Sequence, residues 1–206
     1  EENQEELTDI SLGIDLGLKD LAICSDGTVY KNINKTYMVR KIEKRLKRLQ
    51  KQVSRKYEKN KKGKEYVKTK NIIKLEKQIQ QVHRRLANIR NNYLHQTTTN
   101  IVKTKPYRVV IEDLAVSNMM KNKHLSDAIR KQGFSEFRRQ LEYKCNFRGI
   151  KLVVADRFYP SSKSCSQCGK IKKDLKLKDR VYKCSCGLNI DRDLNASINL
   201  SKYKSA

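Results

Sequence analysis

The chain has 206 residues, of which 37% are hydrophobic and 33% charged, and its formal net charge at pH 7 is +25. That length suits one compact domain with an appendage. No apolar run approaches the ~20 residues that span a bilayer, and the acidic start shows no signal peptide, so we expect a cytoplasmic protein with no membrane partner. So large a positive excess repels itself unless a polyanion compensates it, which indicates nucleic acid.

The amino-terminal segment carries three strand signals. Ser11–Leu16 is an apolar run with one acid inside it, Asp15, and Leu21–Cys24 is a second run. The turn dipeptide Asp26-Gly27 separates the second run from a third, Thr28–Tyr30. The pattern predicts an antiparallel meander.

A strongly basic segment follows, with 20 Lys and Arg against four acids between Arg40 and Arg90. Apolar residues recur there in steps of three and four, which predicts two helices that pack along one seam. The first series is Val39, Ile42, Leu46, Leu49, Val53 and Tyr57, and the second is Ile72, Leu75, Ile79, Val82, Leu86, Ile89 and Tyr93. With a turn at residues 60–63, this is an antiparallel helical hairpin. A solvated coiled coil is the alternative, but such coils balance both charge signs, so phosphate contact is favoured.

Strand and helix signals alternate in the second half of the chain. Tyr107–Ile111 is a strand signal, and a helix is predicted from Ser126 or Asp127, either of which could cap it, to about Phe147. Ile150–Ala155 is a further strand signal, and residues 192–203 have helical spacing.

Four of the six cysteines fall in two closely spaced pairs: Cys165, Cys168, Cys184 and Cys186. The pairs predict a structural zinc ribbon, since four thiolates form a closed tetrahedral shell around Zn²⁺. Gly169 and Gly187 follow the pairs, as tight metal-binding turns prefer. The second pair has one spacer residue where two are usual, and free buried thiols are the alternative. Cys24 and Cys145 stand alone and are predicted core residues.

Three acids stand where structure alone does not call for them. Asp15 interrupts an apolar strand, Glu112 closes the run Val109–Ile111, and Asp193 lies at the head of the last helix. Singly, such acids are often turn or capping residues. Jointly they predict a site for two Mg²⁺ ions, with Mn²⁺ as a substitute, of the kind that hydrolyses phosphodiesters. Asp191 is the alternative to Asp193.

The segments around these acids resemble the three motifs of RuvC-like nucleases in the ribonuclease H superfamily. The motifs are Gly13-Ile14-Asp15-Leu16-Gly17, Ile111-Glu112-Asp113-Leu114 and Asp191-Arg192-Asp193-Leu194-Asn195-Ala196. Together with Phe158-Tyr159-Pro160-Ser161-Ser162-Lys163 and the cysteine pairs, they are similar to the insertion-sequence TnpB proteins, relatives of type V CRISPR effectors. By this resemblance Asp15, Glu112 and Asp193 are the metal-binding catalytic acids.

The resemblance implies an α/β fold of the ribonuclease H (RuvC) type, with a mixed sheet and flanking helices. We assign residues 1–37, 104–160 and 191–206 to the nuclease core, 38–103 to the basic hairpin and 161–190 to the zinc ribbon. The resemblance also implies a prokaryotic transposon nuclease that uses a guide RNA to cut target DNA. The family's recognition half is expected before the first motif, so we expect a separate polypeptide to carry it.

Two other functions remain open on the sequence. One is a nuclease-inactive, RNA-guided DNA-binding repressor, although the three acids are intact. The other is a zinc-ribbon module that binds nucleic acid without chemistry. Cleavage in the presence of Mg²⁺ separates both from the enzyme.

Overall fold

The computed structural model of the protein describes residues 6–176 and 178–204. The acidic start, over which no signal peptide is expected, lies largely outside these ranges. The strands are β1 Thr8–Leu16, β2 Asp20–Cys24, β3 Val29–Lys31, β4 Lys61–Lys62, β5 Glu65–Tyr66, β6 Pro106–Glu112, β7 Lys151–Ala155, β8 Val181–Lys183 and β9 Asn189–Asp191. The α-helices are α1 Tyr37–Lys59, α2 Lys70–Lys103, α3 Val116–Met120, α4 Ser126–Gln132, α5 Phe134–Phe147 and α6 Arg192–Ser201.

A five-stranded mixed sheet forms the core, in the order β3-β2-β1-β6-β7. Strands β1, β2 and β3 pair antiparallel, which confirms the predicted meander, and β1, β6 and β7 run parallel. The central strands are buried on both faces, so β6 reads as the continuous apolar run Val109–Ile111. This mixed sheet with flanking helices is the predicted α/β architecture.

Helix α6 packs on strand β1 at unusually close range. A Cβ atom added at Gly13 would collide with the Ser197 carbonyl oxygen and the Ser201 amide nitrogen, and would lie 3.0 Å from the Leu200 carbonyl carbon. The Ser11 hydroxyl also donates to the Ser201 carbonyl at 2.6 Å. Only glycine at position 13 lets the two backbones approach this closely.

The helix predicted from residue 126 to residue 147 is two helices, and this prediction was wrong in two respects. Gly133 has φ +72°, a left-handed conformation that ends α4 and begins α5. Leu125, not Ser126 or Asp127, is the N-cap, and it makes no side-chain capping bond. The break leaves Gln132 buried, where its Nε2 donates to the carbonyl of Gly17 at 2.8 Å.

By contact density the chain divides into two units, one of Glu1–Asn32 with Leu94–Ala206 and the other of Ile33–Tyr93. The second unit contains the helical hairpin. Its predicted seam is observed as a buried cluster of Val39, Ile42, Leu46, Leu49, Val82 and Leu86. Thr36 caps α1 by accepting from the Val39 amide, and the Arg90 guanidinium donates to Glu43 at 2.8 Å across the hairpin.

The hairpin helices carry many exposed basic side chains. None of the helices in the described parts of the chain is long and apolar enough to cross a membrane. The unit therefore combines a buried apolar seam with a polar, basic exterior.

We expect Gly13→Ala to lower the free energy of unfolding by about 3 kcal/mol, the upper end of overpacking costs, because backbone atoms cannot rotate out of the way. Gly17→Ala is the matched control, since a Cβ there would lie 3.3 Å from the Asp20 carbonyl oxygen and 4.0 Å from the Lys19 amide nitrogen, without a collision. Its effect should stay below about 1 kcal/mol. Urea denaturation of both variants measures the difference, and equal stabilities would contradict the close approach.

Candidate functional site

The sheet and α6 bring the three predicted acids to one place. Asp15 lies near the end of β1 and Glu112 is the last residue of β6. The two strands are parallel neighbours, with Ile14 opposite Ile111, so the acids that follow these two residues emerge at the same sheet end. Asp193 lies in the first turn of α6, the helix that packs on β1.

The carboxylates act on one another electrostatically. Burial raises the pKa of Asp15 well above its usual range, and the nearby Glu112 and Asp193 carboxylates raise it further. Burial also raises the pKa of Glu112, with a second contribution from Asp193. Like charges held together out of water disfavour their ionised forms, so the site favours a compensating cation.

Asp191 and Asp193 have different environments. The Asp191 Oδ1 accepts from the amides of Asp193 and Leu194, at 2.9 and 3.2 Å, so this acid is the N-cap of α6. The Asp193 carboxylate instead lies 3.3 Å from the Arg192 guanidinium and 3.9 Å from that of Arg180. Asp193 also raises the pKa of both other acids, whereas Asp191 contributes less to Asp15.

The four clustered cysteines form a compact donor set. Their Sγ atoms all lie within 4.8 Å of one another, and the pairs Cys165–Cys186 and Cys168–Cys184 are 3.6 Å apart. A tetrahedral zinc site with Zn–S bonds of about 2.3 Å needs edges of about 3.8 Å. The pKa of the Cys184 thiol is lowered to about 6, and the main cause is a hydrogen bond from the backbone amide of Cys186. The cluster could therefore hold a metal ion, and the single-spacer pair is compatible with its geometry.

The acids do not form an equally tight set. Among the described residues, the four thiols are the group of metal-binding atoms found within that distance. The three carboxylates are close enough to interact electrostatically but are more widely spaced.

Two buried asparagines connect the cysteine cluster to α6. The Asn195 amide group donates to the Ser164 carbonyl at 2.7 Å and accepts from the Ser166 amide at 3.0 Å. Asn199 donates to the carbonyls of Ser161 and Ser164, both at 2.7 Å. The backbone that leads into Cys165 is thus fastened to the helix that carries Asp193.

Sequence motifs alone do not identify these positioning residues. The four-residue spacing of Asn195 and Asn199 puts both on one face of α6, which could have shown them. Gln132 and Arg180 carry no comparable signal. The two lone cysteines, Cys24 and Cys145, are each 1% exposed, and burial raises the pKa of each thiol to about 12. Both are therefore core residues, as predicted.

The fold and the site define an α/β domain in which three acids converge at one end of a mixed sheet and four cysteines form a compact donor set. Two family models match the chain, a probable transposase family, OrfB_IS605, over residues 1–123 and a Cas12f1-like TNB domain over residues 134–200. The chain therefore belongs to the TnpB family of transposon-encoded proteins.

Individual proteins of known sequence or structure are also similar to this chain. A protein from Streptomyces pristinaespiralis assigned as an RNA-guided DNA endonuclease is 38% identical over 94% of this chain and 45% of its own length. The chain of a solved CRISPR-Cas12f ternary complex aligns with a TM-score of 0.71 at 24% identity, over 100% of this chain and 41% of that one. A Cas12f1–sgRNA–target DNA complex gives a TM-score of 0.58 at 19% identity, over 96% of this chain and 51% of that one. The chain thus spans about half the length of the relatives it matches.

We expect Asp15→Asn to raise the free energy of unfolding of the metal-free protein at pH 7. The fold raises the pKa of Asp15, so ionisation opposes folding: the penalty is absent below the unfolded-state pKa and grows as the pH rises toward the folded-state pKa. The advantage of asparagine should therefore vanish at acid pH.

The control for this measurement is Asp26→Asn, in an exposed turn where the side chain accepts from the Thr28 amide. Asparagine keeps that acceptor, so little change is expected at either pH. Thermal or urea unfolding at two pH values gives the comparison. A less stable Asp15→Asn protein at pH 7 would contradict the electrostatic description.

Proposed function

We propose that the chain is the catalytic half of an RNA-guided DNA endonuclease and hydrolyses phosphodiester bonds at Asp15, Glu112 and Asp193. The observation that supports this most directly is the convergence of the three acids at the shared end of β1 and β6, where burial raises the pKa of Asp15 and the nearby Glu112 and Asp193 carboxylates raise it further. A fold gains no stability from such repulsion. The repulsion between the carboxylates would be compensated when cations and a phosphate occupy the site.

The donor chemistry fits Mg²⁺, with Mn²⁺ as an alternative, because all three groups are hard oxygen ligands. When bound, two such ions supply an activated water and stabilise the charge that develops on the attacking and leaving oxygens. Asp15, Glu112 and Asp193 would hold them.

The surrounding residues set the position and charge of these acids. Gly13 allows α6 to bring Asp193 over β1, and the Asp191 cap fixes the start of that helix. The Arg192 guanidinium next to Asp193 lowers the pKa of Asp15 and so offsets part of the effect of burial and of the neighbouring carboxylates. Gly13 and Asp191 have positioning roles and Arg192 has an electrostatic role. None of the three roles needs contact with the scissile phosphate.

We further propose that the cysteine cluster binds structural Zn²⁺ and leaves no open position for substrate. A closed thiolate shell would organise residues 161–190. Among the described residues of this segment, the regular secondary structure is limited to the short strand pair β8–β9. Through Asn195 and Asn199 the ion would also steady α6.

The proposed partners are a guide RNA and its target DNA. The net charge of +25 and the basic hairpin exterior supply the nonspecific affinity for phosphate that such partners need. The chain corresponds to about half of its relatives, so guided cleavage is proposed for the chain together with a polypeptide that supplies the remaining half.

We expect Asp15→Ala, Glu112→Ala and Asp193→Asn each to lower guided DNA cleavage at least about a hundredfold, since metal-assisted charge stabilisation is worth several kcal/mol. The assay contains guide RNA, matched DNA and Mg²⁺, with and without a polypeptide carrying the other half. Nucleic-acid binding should persist.

Asp191→Asn is the matched control for Asp193→Asn, because asparagine is as good an N-cap as aspartate. It should retain most of the activity. Loss in the Asp191 variant with retention in the Asp193 variant would reverse their roles. Full activity of Asp15→Ala would overturn the proposed mechanism, and the inactive-binder alternative predicts no cleavage by the unaltered chain.

We expect one zinc ion per chain in protein purified without added metal, measured by elemental analysis. Cys168→Ser should lose most of it, while Ser185→Ala, which changes a residue between two ligands, should retain it. Removal of zinc should increase proteolysis within residues 161–190 first. Zinc well below one equivalent, with four titratable thiols in the cluster, would refute the assignment.

A further inference from the structure

Phe158 presents almost its whole side chain to solvent, with 92% of the residue exposed. A singly exposed aromatic ring is common on protein surfaces, so its significance depends on what surrounds it. The residues on both sides of Phe158 are held by side-chain contacts.

Strong local contacts hold the segment around Phe158. Tyr203 donates from its hydroxyl to the Asp156 carboxylate at 2.8 Å, and the Tyr159 amide donates to the Asp156 carbonyl at 2.9 Å. The Tyr159 ring packs edge-on against Tyr203 with centroids 4.9 Å apart, and its hydroxyl donates to the Asn199 carbonyl at 3.1 Å. Tyr159 therefore points inward and Phe158 outward on an anchored backbone.

The preceding residue, Arg157, belongs to the surroundings of the catalytic acids. Its guanidinium donates twice to one oxygen of Asp113, at 2.6 and 3.1 Å, and Arg138 reaches the other oxygen at 3.5 Å. Asp113 directly follows Glu112. A cavity of about 470 Å³ has Glu112, Arg138 and Arg157 in its wall, together with the apolar side chains of Leu16 and Phe134.

This cavity combines the parts that a nucleotide requires. Its volume is within the range of small-ligand sites, and its walls are partly apolar. Two guanidiniums, each about half exposed, stand where they can contact phosphate. Phe158 is not part of this wall, but it directly follows Arg157 in the chain and its ring is exposed to solvent.

We propose that Phe158 and Arg157 form a subsite that holds one nucleotide of single-stranded DNA beside Glu112, with the base stacked on Phe158 and a phosphate on Arg157. The proposal rests on the proposed function, since it places the strand next to the acids that would cut it. Stacking is independent of sequence because every base has a π-face, which suits an enzyme whose sequence choice comes from a guide.

A single-stranded nucleotide fits these observations better than a protein partner. Protein-docking patches are contiguous apolar areas, whereas Phe158 directly follows Arg157, whose guanidinium pairs with Asp113. A ring flanked by guanidinium is the combination found where bases stack along a phosphate backbone.

The test is binding of a short single-stranded DNA with 2-aminopurine in its middle, in buffer without Mg²⁺, so that no cleavage is needed. Stacking quenches this base. We expect the unaltered chain to quench it, Phe158→Ala to bind at least about fivefold more weakly with less quenching, and Phe158→Trp to restore both. Arg157→Ala should lower the slope of log affinity against log salt by about 0.7.

Phe147→Ala is the matched control, because Phe147 is also a phenylalanine and is 84% exposed. Its removal should leave quenching and affinity unchanged. Undiminished quenching in Phe158→Ala, or an equal loss in Phe147→Ala, would overturn the subsite. It would also be overturned if Phe158→Ala weakened binding to a protein partner and left DNA binding unchanged. Because binding is scored without cutting, failure here is separate from failure of the Asp15, Glu112 and Asp193 assignment.

Discussion

The contact between α6 and β1 at Gly13 is the constraint on which the site depends. Asp15 and Glu112 are placed by strand pairing alone, since β1 and β6 are parallel neighbours in register. Asp193 belongs to a helix about 80 residues further along the chain, and nothing in the sheet fixes its distance. The missing side chain at Gly13 removes the usual separation between helix and sheet and brings the start of α6 to the sheet end.

The cysteine cluster contributes to the same constraint through the two buried asparagines of α6. Asn195 uses both its amide oxygen and its amide nitrogen, and Asn199 donates to two carbonyl groups. Several buried hydrogen bonds therefore join the segment around Cys165 to the helix. Lys202 adds a further donor to the Ser166 carbonyl. Buried polar groups of this kind are costly when unpaired, so the two elements resist separation. Ordering of the ribbon and placement of Asp193 are therefore parts of one structure.

Much of this was predictable because it follows from local pattern. The meander, the seam of the hairpin, the parallel strand Val109–Ile111 and the core positions of Cys24 and Cys145 depend on periodicity and apolar content. The break at Gly133 was not predicted, because an isolated glycine inside a helical pattern is also tolerated. Its left-handed φ ends α4 at Gln132, whose buried side chain donates to the Gly17 carbonyl.

The site residues divide in the same way. Motif resemblance points to Asp15, Glu112 and Asp193, but the roles of Asn195, Asn199 and Gln132 depend on contacts with residues 29 to 115 positions away. The spacing of Asn195 and Asn199 marks a helix face but not its partners, and Gln132 carries no such signal, so the partners are shown only by the folded chain. Asp191 and Asp193 illustrate the point: two acids in one motif become a helix cap and a partner of Arg192 through the direction in which α6 begins.

The charge distribution gives these features a common reason. A chain with net charge +25 is self-repelling, yet three carboxylates repel one another at the end of its central strands. Salt bridges from Arg192 and Arg180 to Asp193 offset part of that repulsion, while burial, and after it the neighbouring carboxylates, raises the pKa of Asp15 and of Glu112. Under the proposed function both imbalances would be relieved by one event, in which phosphate reaches the basic surface and divalent cations reach the acids. Binding of a nucleic acid with its metal ions would then lower the electrostatic cost at both places.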